Sequence, residues 1–134
     1  MKTRNLFLLL SLIALVFTSC VDDDILDPNE DARDILVGSW NCVESSAKIA
    51  YTVHLSKDPA NTDQLLMENF AYIGSGEFAS GVLNGTNITI PEQVPCDDYL
   101  VSGSGVMVNH NRLTWTYSVT AGGDKMDYTA VFTR

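Results

Sequence analysis

Cysteines, histidines and a scatter of carboxylates are the side chains of this chain that could do chemistry. A metal centre needs donors at ligand spacing. His54 and His110 lie far apart, and neither Asp22-Asp23-Asp24 nor Asp97-Asp98 has the alternating spacing of a calcium loop. A serine nucleophile needs a strand-to-helix elbow of the Gly-x-Ser-x-Gly kind. Gly103-Ser104-Gly105 sits instead inside a strand-like stretch. Glu68 and Glu77 are the nearest approach to a carboxylate pair, and each reads equally well as a solvated strand position. Cys42 and Cys96 are too widely spaced for a redox Cys-x-x-Cys unit. The expectation is a non-enzymatic chain with no catalytic residue, no metal and no cofactor.

Cys20 is the exception. Lys2 and Arg4 precede an apolar run from Leu6 to Phe17, then Thr18-Ser19-Cys20, and Val21-Asp22-Asp23-Asp24 follows at once. A basic start, an apolar centre and small residues before a cut make a secretory signal. The run falls short of the roughly 18 to 20 residues of a membrane-spanning helix. Cysteine at the position after the cut resembles the lipobox of bacterial lipoproteins. That resemblance implies removal of residues 1–19 and acylation of Cys20, the acyl chains then anchoring the protein to a membrane.

Residues 21–34 carry seven aspartates or glutamates in fourteen positions. Mutual repulsion and a shortage of apolar groups make 20–34 an expected tether, with a short helical turn near Asn29 to Ile35 capped by Asn29 or Asp31. Its place directly behind the cysteine resembles the surface-export signal of Bacteroidota lipoproteins. Outer-membrane anchoring with display at the cell surface is therefore expected, and a periplasm-facing anchor is the alternative. The formal charge of −9 at pH 7 excludes electrostatic attraction to nucleic acid. Export also bears on Cys42 and Cys96. Two cysteines in an exported domain are commonly a disulfide, worth roughly 4 kcal/mol for a loop of about 50 residues. Two buried free thiols are the alternative.

The remainder, residues 35–134, reads as one domain of strands. Ala47, Ile49, Tyr51, Val53 and Leu55 alternate with more polar residues, as do Leu113, Trp115, Tyr117 and Val119, and Met126, Tyr128, Ala130 and Phe132. Gln64 to Ile73 is apolar on both phases and is assigned to strand. Asn84-Gly85 and Ala121-Gly122-Gly123-Asp124 mark tight turns. Pro91 and Pro95 bracket an expected loop ending at Cys96. Gly103 and Gly105 mark a bulge, a bend or a place where side chains crowd. Seven or eight short antiparallel strands and no long helix leave a sandwich or a barrel, and sequential hairpins favour an up-and-down meander.

Gly38-Ser39-Trp40 at the head of the first strand resembles the Gly-x-Trp triplet of lipocalins and the wider calycin superfamily. The resemblance implies that Gly38 and Trp40 close one end of the barrel and that Arg134 packs over the indole. Ile90-Pro91-Glu92-Gln93, Ser102-Gly103-Ser104-Gly105, Asn111 to Tyr117 and Gly122 to Thr133 together resemble small lipocalin-like lipoproteins of gut Bacteroidota. A small antiparallel up-and-down, lipocalin-like barrel is thus the expected fold, shorter than typical lipocalins and without their long final helix. Tyr51, Phe70, Tyr72, Phe78, Trp115, Tyr117, Tyr128 and Phe132 are candidates to line a pocket or fill the core. The expected role is binding a small apolar molecule. The alternative is a structural or accessory lipoprotein that contacts an envelope protein or a glycan.

Overall fold

The structure, a computed structural model, describes residues 29–46 and 48–134. The leader, Cys20 and most of the acidic segment lie outside the described residues.

Eight antiparallel strands close into one barrel: β1 (Gly38–Glu44), β2 (Ala50–Lys57), β3 (Gln64–Glu68), β4 (Phe78–Asn84), β5 (Asn87–Cys96), β6 (Tyr99–Asn109), β7 (Arg112–Ala121) and β8 (Asp124–Thr133). Each strand pairs with its neighbours in sequence, and β1 pairs with β8 from Asn41↔Thr133 to Glu44↔Ala130 to complete the wall. Closure leaves no free sheet edge. This is the up-and-down topology of a small calycin or lipocalin barrel, and no α-helix occurs among the described residues.

The two-residue period sends alternate side chains inward. On β7 these are Leu113, Trp115, Tyr117 and Val119, all buried, and on β8 Ala130 and Phe132. A narrow interior cannot hold large side chains from every strand, so some positions must be small. Gly105 pairs with Trp115 and Gly103 with Tyr117 across β6 and β7. A Cβ on Gly105 would lie 2.6 Å from the Trp115 ring, and one on Gly103 would lie 2.5 Å from the Thr116 carbonyl oxygen and from Tyr117 Cβ. Crowding is therefore the reason for both glycines. Gly103→Ala should lower the unfolding free energy by about 1–3 kcal/mol through overpacking. The outward Ser104→Ala should shift it by less than about 0.5 kcal/mol. Urea midpoints at unchanged slope would measure both.

Residues 31–36 pack against the barrel, so 31–34, expected to be tether, belong to the folded unit. Asp31 caps a 3-10 turn at Ala32–Ile35 by accepting from Arg33 N. Arg33 is buried, and its Nη1 donates to the carbonyls of Asp58 (3.3 Å), Asn61 (2.8 Å) and Gln64 (3.1 Å). One guanidinium thus ties the β2–β3 loop to the chain entering β1. Asp31 and Asp34 also pair with Lys57, and hydrogen bonding from Arg33 holds the Asp31 carboxyl well below the usual carboxylate range.

Two segments depart from the sequence expectation. The strand expected over 64–73 ends at Glu68, because Asn69 takes φ +60° and its side chain locks a turn: Oδ1 accepts from Gly74 N at 2.9 Å and Nδ2 donates to Thr52 O at 3.0 Å. The following 3-10 turn, Phe70–Tyr72, drops Phe70 into the barrel. The loop expected at 91–96 is the second half of β5. Its register against β6 shifts between Ile90 and Gln93 and again between Gln93 and Cys96, which puts one proline in each irregularity, where a missing N–H does least harm. Gln93 then bridges to β4 by its side chain, accepting from Ser80 N at 2.7 Å and donating to Ser80 O at 2.8 Å.

Candidate functional site

The two ends of the barrel differ in kind. At one end β1 begins, and Trp40 is fully buried with its indole N–H donated to Leu36 O at 2.8 Å. The Arg134 guanidinium carbon stands 4.3 Å from the centroid of that ring, while Arg134 side-chain nitrogens donate to the carbonyls of Ile35, Val37 and His110. Gly38 adopts φ +125°, a conformation that side chains resist, and a Cβ there would lie 3.8 Å from Arg134 Nη1. Gly38, Trp40 and Arg134 are thus brought together as one plug.

Above the plug the interior is filled. Phe70, Trp115 and Phe132 pack with ring centroids 5.1–6.2 Å apart. Phe70 also meets Tyr117 at 4.9 Å. These residues are core. Phe78, a candidate for the same role, is not: it lies on the outer phase of β4 and is 45% exposed. As the first residue of its strand it is one step out of phase with the buried Ala79.

At the opposite end the barrel opens. A cavity of about 280 Å³ is lined by Glu44, Ile49, Ala71, Tyr72, Tyr99, Val119, Ala121, Met126 and Tyr128. All five tyrosines of the chain lie in this half, and two of them converge on one carboxylate. Glu44, only 5% exposed, accepts from Tyr51 OH at 2.8 Å and from Tyr117 OH, both at Oε1. Each of these phenols carries a second ring. Tyr72 lies 5.1 Å from Tyr51, and Tyr128 stacks on Tyr117 at 5.4 Å with the planes 20° apart. Burial pushes the hydroxyls of Tyr51 and Tyr117 far above the ordinary phenol range, which keeps both as donors to Glu44.

Glu44 carries no motif that marks it in the sequence. Its signal was periodic: Trp40, Cys42 and Glu44 occupy one phase of β1, so a charged residue follows two buried ones inward. Ile49, Val119 and Met126 read in the sequence only as strand positions, and Ala71, Tyr99 and Ala121 carry no pocket signal, because the six join one wall only when loops and strand ends from five places meet.

The expected Cys42–Cys96 disulfide is not formed, and both thiols are free. β1 and β5 stand on opposite walls of an eight-stranded barrel. Cys42 is buried inside, whereas Cys96 is half-buried at the end of β5 with Sγ 3.8 Å from Ile73 O. Burial pushes the Cys42 thiol up to about 12 from its ordinary value of 9.0. The folded state therefore favours the protonated thiol, and the stability this contributes is complete below pH 9 and is lost as pH rises toward 12. With iodoacetamide at pH 8, Cys96 should be the only one of the two alkylated in the native chain, and Cys42 should react after unfolding in urea. Peptide mass mapping would check this.

The histidines stay apart. His54 Nδ1 shares a hydrogen bond with Ser39 Oγ at 2.8 Å on the outer wall, and His110 lies in the β6–β7 turn. Glu68 pairs across from His54, but its carboxylate is turned toward Ser75 Oγ and Gly76 N. Among the described residues no three histidine, cysteine or acidic side chains converge as a metal site. No family model, curated protein or solved structure matches this chain.

Proposed function

We propose that this protein is a lipid-anchored envelope protein, acylated at Cys20, whose barrel binds a small and largely apolar molecule at its open end without catalysing a reaction. The observation that carries the binding reading is the cavity of about 280 Å³, with aliphatic and aromatic walls and one buried carboxylate in its lining. Binding sites for small molecules are commonly concave, mostly apolar and furnished with a few convergent polar groups, and barrel mouths are a usual place for them. The filled interior limits the occupant to something small, or to one end of something longer. Display at the cell surface is the orientation that the acidic residues behind Cys20 support.

Methyl-resolved NMR of the full chain in detergent, titrated with 2-phenylethanol, tests the pocket. The methyls of Ile49 and Met126 should shift saturably, those of Met67 and Leu113 in the packed core should not, and Ala121→Phe should abolish the shifts by filling the mouth. Shifts spread evenly over the molecule, or none, would overturn the reading. The anchor is tested by mass spectrometry of the protein from its own host, where an unacylated chain starting downstream of Cys20 would sink it. A second reading, contact with an envelope protein or glycan, is favoured by one observation: Tyr72 and Tyr99 stand 62% and 43% exposed at the rim.

A further inference from the structure

A carboxylate withdrawn from water is ordinarily matched by a cation, because hydrogen bonds alone replace only part of its lost hydration. Glu44 has no such match among the described residues. The ion pairs among the described residues are Arg33 with Asp31 and Lys57 with Asp31 and Asp34, all at the plugged end. Both phenols that serve Glu44 donate to Oε1, and Oε2 takes no hydrogen bond among the described residues. The carboxylate is at the same time part of the cavity lining.

The rest of the wall suits the missing partner. Tyr72, Tyr99 and Tyr128 line the cavity, and the face of a tyrosine ring carries a negative quadrupole that attracts an organic cation. Met126 and Ile49 add polarizable and aliphatic surface. The strand ends and turns around the mouth carry Asp97, Asp98 and Asp124 as well as Lys48 and Lys125, a small acidic excess that favours cations over anions there. An anion would meet Glu44 and these aspartates with no positive group in the lining to receive it. A wholly apolar ligand would leave the carboxylate uncompensated.

We propose that the open end of the barrel selects an organic ammonium ion on a small apolar body, with Glu44 Oε2 as the counter-charge and the tyrosine rings as the cage. This rests on the binding reading above and specifies its ligand class. Tyr51 and Tyr117 are positioning residues, since they hold the carboxylate through Oε1. Tyr72, Tyr99 and Tyr128 touch the ligand.

The test uses three probes of one size in the same NMR titration of the full chain: 2-phenylethylamine, 2-phenylethanol and phenylacetate. The amine should bind at least about 10-fold more tightly than the alcohol, and the acid most weakly. In Glu44→Gln the amine's advantage over the alcohol should fall to within about 2-fold. Equal affinities for amine and alcohol in the unaltered chain would overturn the cation inference and leave the pocket standing. Failure of all three probes would overturn both. An undiminished amine preference in a folded Glu44→Gln variant would remove Glu44 from the site. The ranking in the unaltered chain decides the matter even if that variant does not fold.

Discussion

Replacing Phe70 with alanine should lower the unfolding free energy by about 3–5 kcal/mol and deepen the cavity at the same time. Phe70 is fully buried and touches Trp115, Tyr117 and Phe132, so its removal deletes contacts on three sides of the barrel centre. The backbone that delivers it has little freedom to follow a collapse. Asn69, Ala71 and Tyr72 all have positive φ, and such residues cost of order 1–3 kcal/mol each unless the surroundings hold them. The void should therefore persist rather than close. It would border the Trp115 ring, whose indole N–H is buried with no hydrogen-bond partner among the described residues. Chemical denaturation would give the loss of stability. A red-shifted tryptophan emission and tighter binding of a longer probe, such as 4-phenylbutylamine, would show that water or ligand has reached the opened space. Unchanged emission with the full loss of stability would mean that the loop had collapsed instead.

The second large effect is expected at the other end. Trp40→Ala should cost about 3–5 kcal/mol by the same combination of lost burial and residual cavity. Trp40→Phe keeps most of the apolar volume but leaves the Leu36 carbonyl without its 2.8 Å donor, a penalty of about 1–3 kcal/mol. Arg134→Ala should cost less than either. Its attraction to the indole is worth roughly 0.5–2 kcal/mol at most, and the carbonyls it serves lie near the surface, where water can replace it. That order, measured by urea unfolding, would separate burial, hydrogen bonding and ring contact as contributions to the plug. Because the plug is remote from the mouth, probe affinity in variants that remain folded should be unchanged.

The architecture was legible wherever period two ran without interruption. β7 declares itself through Leu113, Trp115, Tyr117 and Val119, and Asn84-Gly85 and Gly122-Gly123 place hairpins where the glycines have positive φ. It failed where side chains replace backbone logic. Gln64 to Ile73 looks continuous because nothing in its hydrophobicity reveals that Asn69 will turn the chain. The second half of β5 looks like a loop because its prolines are tolerated only through two register shifts. The candidate site was less legible still. Tyr51 and Tyr117 could be named as interior rings, but their common partner lies 7 residues from one and 73 from the other. Only closure of β8 onto β1 brings β1 and β7 close enough to share a carboxylate. The cysteines misled for a related reason: export chemistry speaks to whether thiols can oxidise, while the strand order decides whether they can meet.

The Gln93 bridge makes one seam of the wall unlike the others. The backbone ladder between β4 and β5 is confined to the pairs Val82↔Thr89, Leu83↔Ile88 and Asn84↔Asn87, so toward the open end a single side chain stands in for it. Such a joint can part and re-form by rotation about side-chain bonds, with no loss of strand register. Amide exchange should reveal it as the least protected stretch of the barrel wall, Ser80 exchanging well ahead of the amides of β7, and Gln93→Ala should accelerate it further. The molecule would then breathe sideways as well as through its mouth, opening along a fault line that runs from the rim down to the Val82↔Thr89 pair.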